Sequence, residues 1–209
     1  MFFITIKVSL TQFLTYSSKV STGAKINYVK QIKNSPEYHP GIDYWKPLRD
    51  EIKRLHRNNL PIEDLKNLLS KVDDKKIKNY KKAINSYIRF IRRNNVEYFE
   101  CGKSFWKLSE ELFINSSPEL GFIIDGKKFY VKNYYKKKSS DTKLTQRNIK
   151  STLTLMQISE RDFELDNKSR FAVLNLQNEK LIEAPPLLSE SIMELEVDAQ
   201  SFVDIWSRI

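Results

Sequence analysis

Glu119, Asp125 and Lys132 are the residue types that metal-assisted phosphodiester cleavage uses. Carboxylates can hold Mg²⁺, and a lysine can help to activate water. All three fall in "PELGFIIDGKKFYVK". There, Asp125-Gly126 also has the signature of a tight hairpin turn, and Glu119 follows Pro118 at a strand start. Turn chemistry thus explains the pattern without catalysis, and an Mg-dependent nuclease is an alternative reading only. Other catalytic sets are poorer. Two histidines and one cysteine cannot build a usual Cys/His zinc site. His39 sits between Tyr38 and Pro40 in a loop, His56 on a charged helix, and no G-x-S-x-G elbow accompanies either. "STGAK" lacks the remainder of a phosphate loop. The expectation is therefore a non-enzymatic protein with no catalytic residues, no metal and no cofactor.

Cations are more informative. In a helix over 74–93, Ile77, Tyr80, Ile84, Tyr87, Ile88 and Ile91 share one side at helical spacing. Lys75, Lys78, Lys82, Arg89, Arg92 and Arg93 share the opposite quadrant. A helix from Tyr44 to Arg57 repeats the design: Trp45, Leu48, Ile52 and Leu55 inward, with Lys46, Arg49, Lys53, His56 and Arg57 outward. In "KKFYVKNYYKKKSSDTK", 127–143, strand alternation puts Tyr130, Lys132, Tyr134 and Lys136 on one face. Tyrosines can stack on unpaired bases while lysines hold phosphates. Together these residues predict a DNA- or RNA-binding surface, on an accessory subunit of a larger assembly. Solvated outer faces are the plain alternative. The excess of Lys over Arg, 26 against 10, is also what AT-rich coding produces.

Charge distribution supports a polyanionic partner. Residues 1–95 hold 20 Lys+Arg against 8 Asp+Glu, and residues 96–150 hold 11 against 7. Residues 151–209 reverse this, with 5 against 11. The acidic amphipathic helix expected in 187–209 suggests a second alternative, a protein-interaction module docking through that helix and the sheet. It could equally pair with basic helices of the same chain and occupy their cations.

These side chains need an architecture to position them. Ser9 can cap a helix over 10–19, and Ser21 or Thr22 a second carrying Ile26, Val29 and Ile32. That pair could form a helix-turn-helix with Lys25, Asn27, Lys30, Gln31 and Lys33 outward, or an ordinary helical hairpin. Prolines and a glycine make 34–45 a loop, and Pro61 opens a short helix. From Val96 the period changes. Strands are predicted near 111–115, 119–124 and 128–136, followed by a helix over 142–159. A second hairpin turns at 177–179, and the last helix follows Pro186. The fold class predicted is α+β: a basic helical domain, 1–95, then an antiparallel-sheet domain, 96–209, of order β-β-β-α-β-β-α.

"MFFITIKVSL" is too short to span a bilayer and no later run is long enough, so no membrane association is expected. The lone Cys101 excludes an internal disulfide and agrees with a cytoplasmic location. The order of "SLTQFLTYSSKVSTGAKINYVKQIK", "DYWKPLRDEIKRLHR", "PELGFIIDGKKFYVKNYYKK" and "FAVLNLQNEKLI" resembles a family of uncharacterised bacterial proteins of about this length. That resemblance implies a bacterial, cytosolic setting and no activity.

Overall fold

Local signals set the helices of the N-terminal half. In the computed structural model, which describes residues 5–35, 43–135 and 144–209, the chain opens with strand β1 (Ile6–Ser9) and helix α1 (Leu10–Ser17). The Ser9 hydroxyl accepts from the Gln12 backbone N–H, and the Gln12 side chain accepts in return from the Ser9 N–H, a reciprocal cap. Ser21 caps α2 (Thr22–Lys33), and Asp73 caps α4 (Asp74–Asn94). Pro47 is tolerated in the first turn of α3 (Lys46–Arg57), where its missing N–H costs nothing. The segment opened by Pro61 is a 3-10 helix, Ile62–Ser70. Asn95 closes α4 in the left-handed conformation, with φ 43°.

The remaining elements are β2 (Glu97–Phe99), β3 (Ser104–Leu108), β4 (Leu112–Asn115), β5 (Leu120–Ile124) and β6 (Lys127–Tyr134). A 3-10 turn (Arg147–Ile149) and α5 (Lys150–Ile158) follow. The chain ends with β7 (Glu160–Arg161), β8 (Arg170–Asn175), β9 (Lys180–Glu183) and α6 (Ser189–Arg208). The chain is thus α+β. Asp125 and Gly126 both have positive φ, 50° and 71°, as a type I′ turn between β5 and β6 requires.

The described strands form two sheets, ordered β1-β4-β3-β7 and β2-β5-β6-β8-β9. The expectation of an antiparallel sheet needs correction, because both sheets are mixed. β6 pairs with β8 in parallel, and β1 pairs with β4 in parallel. The physical reason is the crossover: α5 returns the chain so that β8 enters beside β6 in the same direction, and β1 arrives from the far end of the sequence. β2, β3 and β7 are additional to the predicted order β-β-β-α-β-β-α. β2 and β7 have only three and two residues, too few to show an alternation.

One face of the five-stranded sheet carries a core built by Leu48, Ile52 and Leu55 of α3, Tyr80, Ile84 and Tyr87 of α4, and Phe122, Phe129, Val131 and Leu174. Residues before and after position 95 share it. The opposite face is covered by a second cluster, in which Tyr130 and Phe171 meet α1, α5, α6 and the smaller sheet. A third, with Leu14, Ile149 and Leu153, covers Tyr134 and Val173. Strand β6 is therefore buried on both faces.

Gly121 lies opposite Phe99 in the β2–β5 ladder. A Cβ there would come within 2.5 Å of the Phe99 ring and 2.6 Å of its carbonyl oxygen. Gly121→Ala should therefore lower unfolding free energy by about 1–3 kcal/mol through overpacking. Denaturant unfolding checks this, and an unchanged midpoint would contradict the close approach.

Candidate nucleic-acid interface

Helix α4 is fixed by its buried side. Tyr80, Ile84 and Tyr87 have no solvent exposure, and Ile88 and Phe90 have almost none. This orientation turns Lys75, Lys78, Lys82, Arg89, Arg92 and Arg93 to solvent, all six of them exposed. Lys81 is exposed as well, a cation that the helical spacing does not group with the other six. At 21 residues the helix is about 31 Å long, so its cations extend along several phosphate spacings of a duplex.

Several of these cations touch polar neighbours. Arg89 donates to Glu179 Oε1 from Nε at 2.8 Å and from a terminal nitrogen at 2.5 Å. Arg93 lies 3.6 Å from the other Glu179 oxygen and donates to the Glu179 carbonyl. Lys82 donates to the Gln177 side chain at 2.9 Å, and Arg92 Nε to Glu63 at 2.7 Å. Lys75 and Lys78 have no ion-pair partner among the described residues. Glu179 is the unexpected residue. It sits in the β8–β9 turn with φ 60° and gathers two arginines. No local pattern in the sequence announces a contact between positions 90 residues apart.

Helix α3 supplies less than its outer stripe suggests. Lys53 is half-buried and Arg57 is exposed, the latter paired with Glu100. Lys46 pairs with Asp50 one turn on. Arg49 departs from the expectation: its side chain is only 20% exposed and is engaged by Asp43. Burial alone would raise the Asp43 pKa, but the Arg49 hydrogen bond and charge more than offset it, and the carboxyl is held below its usual value. Arg49 thus belongs to an inward polar cluster.

The strand face expected to be open is closed. Tyr130 is 4%, Lys132 6% and Tyr134 7% exposed, so no base can stack on them with the sheet intact. The alternation was correct, but α1, α5 and α6 cover the face expected to be wet. Tyr130 instead stacks on Phe163 and Phe171, with ring centroids at 4.8 and 5.4 Å. Lys136 lies outside the described residues. The helix-turn-helix alternative fares similarly, since two of its groove-facing cations turn to the C-terminal helix. Lys25 bonds Asp198 at 2.6 Å, and Lys33 donates to the carbonyls of Trp206 and Ile209. The carboxylates of α6 therefore pair with Lys25 and Lys150, leaving α4 untouched.

Glu119 and Lys132 do meet. Lys132 Nζ lies 2.5 Å from Glu119 Oε2, with both side chains buried. Asn133 Nδ2 donates to the other Glu119 oxygen at 3.2 Å, and the Tyr135 hydroxyl donates to it as well. Burial, then the Glu119 charge, drives the Tyr135 pKa well above its ordinary value. Asp125 is at the opposite end of β5, roughly 20 Å away along the strand. The three-residue constellation considered for a nuclease is therefore not assembled. No cluster of three or more His, Cys, Asp or Glu suited to a metal occurs among the described residues. Burial raises the Cys101 thiol to about 12, and His39 lies outside the described residues. No helix of the described residues is long and apolar enough to cross a membrane. Comparison with family models, curated proteins and solved structures finds no match.

His56 is not a phosphate-binding cation. Its Nε2 is 2.7 Å from the Tyr87 hydroxyl and its ring stacks on Tyr98 at 4.9 Å. Burial lowers its pKa from 6.5 to about 4. The folded protein thus binds fewer protons than the unfolded chain between those values. Stability from this group is present above pH 6.5 and is lost as pH falls towards about 4. Thermal melts should show that decline, and His56→Gln should flatten it; parallel curves would contradict the assignment. Removing one partner of the buried pair by Lys132→Met should cost about 3–5 kcal/mol, because Glu119 is left charged without its counter-ion. A change within about 0.5 kcal/mol, as at a surface lysine, would contradict it.

Proposed function

We propose that this chain binds nucleic acid through the outer face of α4, with Lys53 and Arg57 of α3 as secondary contacts, in an accessory role within a DNA- or RNA-handling assembly. What carries the reading is the outward display of Lys75, Lys78, Lys82, Arg89, Arg92 and Arg93 along a single rigid helix. A rigid helix holds cations at fixed separations, so neutralising phosphates requires little reordering. Each phosphate contact releases condensed counterions, which makes the affinity steeply dependent on salt.

The existing ion pairs do not block this use. Exposed pairs contribute at most about 1 kcal/mol and are screened by salt. A phosphate can therefore replace Glu63 as the partner of Arg92, whereas Arg89 and Arg93, each 60% exposed, stay paired with the largely buried Glu179 and meet a phosphate with their remaining N–H groups. Such contacts read charge and spacing rather than base sequence, so generic binding is expected.

Binding to generic duplex DNA should fall with salt at a log–log slope of roughly −5 if six phosphates are engaged. Reversing Arg89, Arg92 and Arg93 to glutamate should remove roughly three units of that slope. Glu179→Asn, which keeps a residue tolerant of positive φ, should release two arginines and strengthen binding severalfold. Absence of binding at low salt, or a slope unchanged by the triple reversal, would refute the reading.

A further inference from the structure

Seven large hydrophobic side chains are exposed among the described residues, and four of them lie on or just before α6. Met193 and Val197 are 61% and 64% exposed, one turn apart on the outward ridge of α6. Leu187 and Leu188 precede that helix, at 44% and 56%. Val20, at 87%, lies in the link between α1 and α2, and α2 packs on α6. A groove of about 350 Å³ runs beside the ridge, lined by Met193, Glu194, Val197 and Asp198 of α6 and by Arg147 and Lys150. The inward side of α6 is already occupied, since Leu195, Ala199 and Phe202 are fully buried. The exposed apolar residues are therefore surplus to the fold, and their concentration marks a surface for association.

Charge selects the occupant. Glu190, Glu194, Glu196 and Asp204 are exposed around Met193 and Val197. Glu194 is held by Lys150 and Asp204 accepts from Gln200, while Glu190 and Glu196 have no ion-pair partner among the described residues. A second copy docking by two-fold symmetry would set this acidic face against itself. We infer that the α6 ridge binds a basic amphipathic helix of another protein, whose apolar side chains cover Met193 and Val197 while its cations meet Glu190 and Glu196, clear of Arg147 and Lys150 across the groove. This surface is separate from α4, so a polyanion and such a helix can be held at once.

The test uses the full chain and a synthetic peptide of leucine and lysine at helical spacing, longer than about 15 residues so that its helix is viable. A scrambled peptide of the same composition controls for charge alone. The amphipathic peptide should bind about tenfold or more tightly than the scrambled one, and Met193→Asp with Val197→Asp should abolish that difference. Glu190→Lys with Glu196→Lys should weaken both peptides and reduce the salt dependence. Because all four side chains are exposed, melting temperatures should hold, and loss of duplex binding on reversal of the α4 arginines should persist in each variant. Equal affinity for the two peptides, or a Met193→Asp/Val197→Asp protein that still distinguishes them, would overturn the inference. So would sedimentation showing a dimer that the same double substitution disperses, since the occupant would then be a second copy.

Discussion

Burial of strand β6 on both faces is the constraint on which the rest of this structure depends. The strand is hydrogen-bonded to β5 on one side and β8 on the other. Phe129 and Val131 point into the core beneath α3 and α4, and Tyr130 and Tyr134 into the clusters beneath α1, α5 and α6. A lysine in such a strand cannot remain a bare charge, because removing an ammonium from water without a partner is costly. Glu119, immediately before β5 with its N–H donating to the Val131 carbonyl, supplies that partner. Asn133 and Tyr135 then fill the remaining capacity of the carboxylate.

The same constraint sorts the positive charge. Lys132 and Arg49 are spent inward on Glu119 and Asp43. Lys25, Lys33 and Lys150 hold the C-terminal helix in place. The outer quadrant of α4 remains, where one helix face is committed to the core and the other keeps its cations exposed, with Glu63 as an exposed partner and Glu179 as a largely buried one. The acidic segment 187–209 does not neutralise that quadrant, because α6 packs on α2, α5 and β3 rather than on α4. Two surfaces of opposite charge thus sit on separate elements.

Local patterns in the sequence were legible wherever the chain closes its own interactions. The Ser9, Ser21 and Asp73 caps, the Asp125-Gly126 turn and the amphipathic period of α4 all operate within a few residues. The same holds for the hairpin turn near 177–179. What could not be read depends on long-range assembly. β2 and β7 exist only because a neighbouring strand extends to them. The parallel β1–β4 and β6–β8 pairings are set by crossovers rather than by any local signal. The alternation of β6 showed which residues share a face but not that helices cover both. The alternation alone therefore points Tyr130, Lys132 and Tyr134 to an open surface that the fold closes. Glu179, the partner of Arg89 and Arg93, carries no signature beyond its place in a turn.

Lysine-reactive footprinting by mass spectrometry, with and without bound duplex, tests the partition of charge most directly. Lys132 should stay unmodified as long as the protein is folded. Lys75, Lys78 and Lys82 should react freely and become protected when duplex is added. Modification of Lys132 at a surface rate would contradict the closed sheet. Protection falling on Lys25 or Lys150, with α4 still reactive, would contradict α4 as the polyanion-binding face.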